Sequence, residues 1–299
     1  MLAQQLLNGF VVGGVYALFA LGFTLVFGIQ RVLNLAHGAI FMSGAFIAYY
    51  TVAAGGPLWL GLALAVIGSG LISVLVEIVC FRRLRRSGDE EFGGIISSIG
   101  ASLVIMTIAQ RISDTQVLRF PFETFPVIIW RFWGLRVSAL QLFMLALALA
   151  LVVVLGWFIY RTAFGRQVRA VTQNERAAML MGINPVRIHM QTFFLSGALA
   201  GAAGVLVGLA FSSIRYTMGE PFLMYGFVII ILGGLGSIPG ALLASFLFGM
   251  GQTMLTAYMP SAISGLNEAF IFAALFLLLL FRPHGLMGRE AAGALRGRR

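Results

Sequence analysis

Lysine is absent from this chain of 299 residues: all 20 of its basic residues are arginine. A P-loop needs a lysine after its glycines to reach the nucleotide phosphates, so the chain is not itself a P-loop ATPase. Cysteine is nearly absent as well. Cys80 stands alone inside an apolar run, which excludes an intrachain disulfide and reads as a small core residue. Charge is scarce, at 10% of residues against roughly 25% in a soluble domain. His37, His189 and His284 are isolated in sequence and no GxSxG elbow occurs. No metal site, catalytic nucleophile or cofactor is expected in this chain.

What the chain does have is apolar bulk. It is 60% hydrophobic with a mean hydropathy of +0.98, too little polar surface to coat a globule, so the bilayer must be its solvent. The net charge of +10 would suggest nucleic acid in a soluble protein. Here the arginines sit in short segments between apolar runs, which is the pattern that orients a chain in a membrane; no nucleic-acid partner is expected. The N-terminus lacks the basic start of a signal peptide, and its apolar run reads as a retained helix.

A spanning helix takes about 20 mostly apolar residues. Such runs cover Leu6–Phe27, Gly38 to before Gly55, Leu58–Phe81, Gly94–Ile112, Ser138–Tyr160 and Pro185–Ser213. Three more follow: Phe222 to a break at Gly233, Ala241–Tyr258 and Asn267–Phe281. The expected fold is one all-α polytopic membrane domain over 1–299, with about nine spans in a range of eight to ten. Placing the N-terminus outside and the C-terminus in the cytoplasm puts 15 arginines on the inner side and 5 on the outer, as the positive-inside rule requires. Residues 161–189 then form a cytoplasmic loop and 282–299 a basic cytoplasmic tail. The 37 glycines include GxxxG pairs at Gly9/Gly13, Gly197/Gly201 and Gly204/Gly208, which let helix backbones approach closely.

Ion-coupled carriers place carboxylates within the membrane. Here Glu77 lies one turn from a helix end, Glu268 begins a helix, and the other acidic residues sit in loops. Energy is therefore expected from another subunit, with an ion-coupled amino acid carrier as the alternative. The loop 161–189 carries the clearest local signal. Thr172-Gln173-Asn174-Glu175 reads as a capping box opening a short helix over Gln173–Met181, with Gly182 as its left-handed stop. Asn184-Pro185 then caps the next span. Gln173, Ala177, Leu180 and Met181 share one face, flanked by Arg166, Arg169 and Arg176. Such a helix either sits in a groove on an ATPase or lies on lipid headgroups. Asn34, His37 and Gly38, Ser97 and Ser98, and the Gly233-Gly234 break could line a substrate path; equally, they could be caps, hydroxyls bonded to their own helix and a plain turn. The aromatic segment 113–137 suits the membrane interface or a docking partner.

Several motifs in order resemble LivH-type branched-chain amino acid permeases. They are Gly14-Val15-Tyr16-Ala17-Leu18, Leu25-Val26-Phe27-Gly28, Asn34-Leu35-Ala36-His37-Gly38, and Ser98-Ile99-Gly100. Next come Gly165-Arg166-Gln167-Val168-Arg169-Ala170 with Met181-Gly182-Ile183-Asn184, then Leu232 to Ala241, and last Phe281-Arg282-Pro283-His284-Gly285-Leu286-Met287-Gly288. The resemblance implies a subunit of an ATP-binding-cassette importer in the bacterial inner membrane. It would pair with a second, LivM-like permease, two cytoplasmic ATPases and a periplasmic substrate-binding protein. It also implies that Arg169, Thr172, Gln173, Asn174, Glu175, Arg176, Ala177, Leu180, Met181 and Gly182 form the ATPase-coupling element.

Overall fold

The structure, a computed structural model, describes residues 2–87, 90–121, 124–132, 134–259, 266, 269–273, 277, 280 and 285–287. Its helices are α1 (Leu2–Gln30), α2 (His37–Ala53), α3 (Leu58–Val76), α4 (Leu84–Ser87), α5 (Glu90–Ser113) and α6 (Ala139–Arg161). They continue with α7 (Ala163–Gln173), α8 (Glu175–Leu180), α9 (Pro185–Phe211), α10 (Gly219–Gly233) and α11 (Ile238–Tyr258). A π-helical turn at Glu77–Phe81 prolongs α3. Among the described residues, six helices are long and apolar enough to cross a membrane: α1, α3 with its π turn, α5, α6, α9 and α11. The helix α2 has 17 residues and α10 has 15, about 26 and 23 Å at 1.5 Å per residue. Both are shorter than the roughly 30 Å hydrocarbon layer. The expected ninth span, Asn267–Phe281, and the tail 282–299 fall largely outside the described residues.

Two helices form the centre. The α1 and α9 sequences are apolar all round, as a helix surrounded by protein should be, and both are buried along most of their length. The α1 helix packs on α11, α9, α6 and α10, while α9 packs on α3 and α2. By contrast, α5 and α6 bury one face and present Leu103, Val104, Val153 and Val154 outward. Glycine makes the central contacts possible. A β-carbon on Gly9 would stand 2.7 Å from Met250 Cα, and one on Gly201 would collide with Ser69. The GxxxG pairs are therefore packing devices, as expected.

The segment 113–138 holds the one sheet among the described residues, a hairpin of β1 (Ile129–Phe132) and β2 (Leu135–Ser138) in register Ile129↔Ser138 to Phe132↔Leu135. Ser138 then caps α6 in a reciprocal box: its Oγ accepts from Gln141 N–H at 3.1 Å while its own N–H donates to Gln141 Oε1 at 3.0 Å. The start of α1 grips this hairpin through one side chain. Gln4 Nε2 donates to the Arg136 carbonyl at 2.8 Å, and Arg136 N–H donates back to Gln4 Oε1 at 2.8 Å.

Candidate functional site

The loop between α6 and α9 folds as two helices rather than the single short helix expected. Thr162 opens α7, its Oγ1 accepting from Gly165 N–H at 3.4 Å. Gly165, Val168 and Val171 face inward while Arg166 and Gln167 face out. Thr172 does not cap anything: it lies inside α7, and its hydroxyl donates to the Val168 carbonyl at 2.9 Å. The cap of α8 is Asn174, whose extended backbone (φ −158°, ψ 106°) breaks the chain and whose Oδ1 accepts from Ala177 N–H at 3.0 Å. The proposed Thr172–Glu175 box is thus corrected. Asparagine caps as well as threonine does, and α7 keeps Thr172 helical. Gln173 accordingly ends α7 instead of opening α8.

The stop of α8 is as the glycine predicts. Gly182 has φ +81°, its N–H donates to the Met179 carbonyl at 3.0 Å, and Ile183 N–H donates to Ala178 at 3.0 Å. This pair of bonds is a Schellman motif. Asn184 then caps α9, accepting from Arg187 N–H at 3.4 Å. The two small helices are held by their own satellite core, in which Val168, Val171, Ala178 and Ile188 are buried against Ile29 at the end of α1. Burying a Val or Ile fully contributes about 1.5–3 kcal/mol each. What remains outside is an apolar knob: Leu180 is 90% exposed and Met181 82% exposed. Gln173, Glu175, Arg176 and Ala177 are exposed beside it. Arg169 turns back, donating to the Ile159 carbonyl at 2.7 Å and closing the last turn of α6.

A cleft of about 610 Å³ opens between α7, α1 and the α10–α11 turn, lined in part by Thr24, Gly28, Arg169, Thr172, Gln173 and Ser237. No local pattern announces it, because its walls come from four segments distant in sequence: 24–29, 159–173, 235–239 and Met287. The candidate path residues lie elsewhere. Asn34, His37 and Ser98 are fully buried and act as fasteners. His37 Nε2–H donates to the Phe19 carbonyl at 3.1 Å, so its Nδ1 is left to accept from Ser196 Oγ at 3.4 Å, which ties α2 to α1 and α9. Ser98 Oγ bonds within its own helix to the Ile95 carbonyl at 2.8 Å and also accepts from Leu35 N–H at 3.1 Å. Asn34 Oδ1 accepts from Ala36 N–H at 3.1 Å in a local turn, so it does not cap α2. Ser97 is half-buried, and its carbonyl accepts from Cys80 Sγ at 3.5 Å. Gly38 is pressed on Gly219. Gly233 packs on Gly240, and Gly234, at φ +100°, sits in a tight turn closed by the Ser237 cap of α11.

Glu77 is the buried carboxylate among the described residues. It is fully enclosed at the end of α3 and paired with Arg85 of α4. Among the described residues no group of three or more His, Cys, Asp or Glu is placed to hold a metal ion.

Comparison with known proteins covers most of the chain. Residues 5–280 match the family described as branched-chain amino acid transport system / permease component. The high-affinity branched-chain amino acid transport system permease protein LivH of Salmonella typhimurium is 31% identical, covering 96% of this chain and 95% of that protein. The corresponding permease protein BraD of Pseudomonas aeruginosa is 31% identical with the same coverage. The L-arabinose transport system permease protein AraH of Escherichia coli is 26% identical over 50% of this chain and 45% of its own length. No solved structure matches the chain.

Proposed function

The chain belongs to the family of branched-chain amino acid transport system permease components, and from that premise we propose that it is the membrane permease subunit of an ATP-binding-cassette importer. Its cargo is branched-chain amino acids or related small polar solutes, and its place is the bacterial inner membrane. In this reading the chain crosses nine times, by α1, α2, α3, α5, α6, α9, α10, α11 and the segment 267–281. The N-terminus lies outside, and α7 and α8 lie in the cytoplasm. The arginine split of 15 to 5 supports that orientation.

The observation that carries the coupling role is the α8 knob. A six-residue helix is capped at both ends, seated on its own small core and tipped with exposed Leu180 and Met181. Bare apolar tips on a rigid mount suit a groove in a partner protein. An ATPase pressing there moves α8, which moves the start of α9 and the end of α1. A second permease subunit and two ATPases complete the machine, and a periplasmic binding protein delivers the solute. An ion-coupled carrier is the weaker reading, since the buried Glu77 is already neutralised by Arg85.

Proteoliposomes holding the assembled transporter test this. Import of radiolabelled leucine should need ATP and the ATPase subunits, and should survive collapse of proton and sodium gradients. Leu180→Asp together with Met181→Asp should leave the permease in the membrane yet strip the ATPases from it on purification. Import without the ATPases would reject the scheme.

A further inference from the structure

The ring of His189 in α9 is buried, at 3% exposure, and lies between two other elements. On one side Gln30, the last residue of α1, faces Nδ1 at 3.4 Å through its amide nitrogen. An amide N–H can only donate, so Nδ1 accepts and the ring proton sits on Nε2. On the other side that Nε2 looks at Glu175 Oε1, the first residue of α8, across 3.9 Å. Hydrogen bonds from N–H to oxygen close at 2.7–3.2 Å, so the donor is buried and unbonded here. The gap is about 1 Å beyond bonding distance. Gln30 Oε1 is also buried without a partner, and Arg85, which acts electrostatically on the ring, is itself paired with Glu77. Buried donors without acceptors are rare and costly, and this one is aimed at a carboxylate on the very helix assigned to the ATPase.

We propose that Glu175 and His189 form a latch, open in this structure, that closes when α8 is driven toward α9. The inference rests on reading α8 as the ATPase contact. Closure gives the donor its bond and locks α8 to α9, while the same ring holds Gln30 and so carries the movement into α1. His189 is therefore a positioning residue for energy coupling. Packed interfaces shift between discrete arrangements, and one hydrogen bond to a charged group, formed in only one of them, biases the pair about tenfold or more.

The test is the number of leucine molecules imported per ATP hydrolysed by the assembled transporter in proteoliposomes. Glu175→Ala and His189→Ala should each lower that ratio about tenfold, and the double variant should be no worse than either alone. Glu175→Gln and His189→Gln keep an acceptor and a donor at the two atoms and should stay within about threefold of the parent. Should the buried His189→Ala change prevent assembly, the exposed Glu175→Ala and Glu175→Gln pair decides. Equal losses in Ala and Gln variants at 175, or single losses that simply multiply, would overturn the latch while leaving the importer reading intact. Import by the parent without ATP would overturn that reading, and the latch with it.

Discussion

Glu77 and Arg85 show what one side chain is worth when it leaves water. Removing a single member of a buried ion pair strands the other charge and costs about 3–5 kcal/mol, while replacing both by apolar groups is often close to neutral. Glu77→Ala should therefore lower the thermal midpoint of the purified protein in detergent, and Glu77→Leu with Arg85→Met should restore most of it. The pairing links positions eight residues apart across a π turn, which no helical spacing in the sequence announces. Gly182 lies at the other extreme of legibility. Its place after an apolar helix end signals a left-handed stop, and the structure has it at φ +81°. An alanine there carries a penalty of roughly 1–2 kcal/mol, so Gly182→Ala should speed amide exchange in residues 175–182 without disturbing the spans. Thr172 was misleading because two good capping residues stand two apart. Only the backbone turn at Asn174 decides between them.

Among elements, hydrophobic length told most of the story. The sequence-based limits of α1, α3, α5, α6, α9 and α11 fall within a few residues of the structure because lipid-length apolar runs have few other solutions. The helix α7 was missed for the same reason: it is short, half polar and amphipathic, and its apolar stripe at Gly165, Val168 and Val171 has no membrane to span. Glycine marks which helices touch, though not which partner each meets. Gly201 sits where a β-carbon would strike Ser69, whereas Gly100 on α5 has open space around it. Gly201→Leu should cut the yield of folded protein sharply, since overpacking of a tight core costs about 1–3 kcal/mol or more. Gly100→Leu should be tolerated. Size-exclusion profiles of the two variants in detergent make the comparison.

For the molecule as a whole, the orientation proposed from the arginine imbalance is one that labelling can check. On a Cys80→Ala background, a single cysteine replacing Leu180 should react with a membrane-impermeant maleimide only from the cytoplasmic side. One replacing Arg131 in the hairpin should react only from the periplasmic side. Labelling of both from one side would discard the topology. The long-range fastenings were beyond the sequence for a plain reason. His37 with Ser196, and Gln30 with His189, each lie 159 residues apart, and nothing local in either stretch points to the other.

The grip of Gln4 on the hairpin has a mechanical meaning. The α1 helix runs unbroken for 29 residues, and its stretch from that grip at Gln4 to Ile29 beneath α7 spans about 38 Å at 1.5 Å per residue. Hydrogen bonds from turn to turn hold such a rod together along its axis. A load arriving at the strand tips is therefore passed along one continuous element to the small core beneath α7.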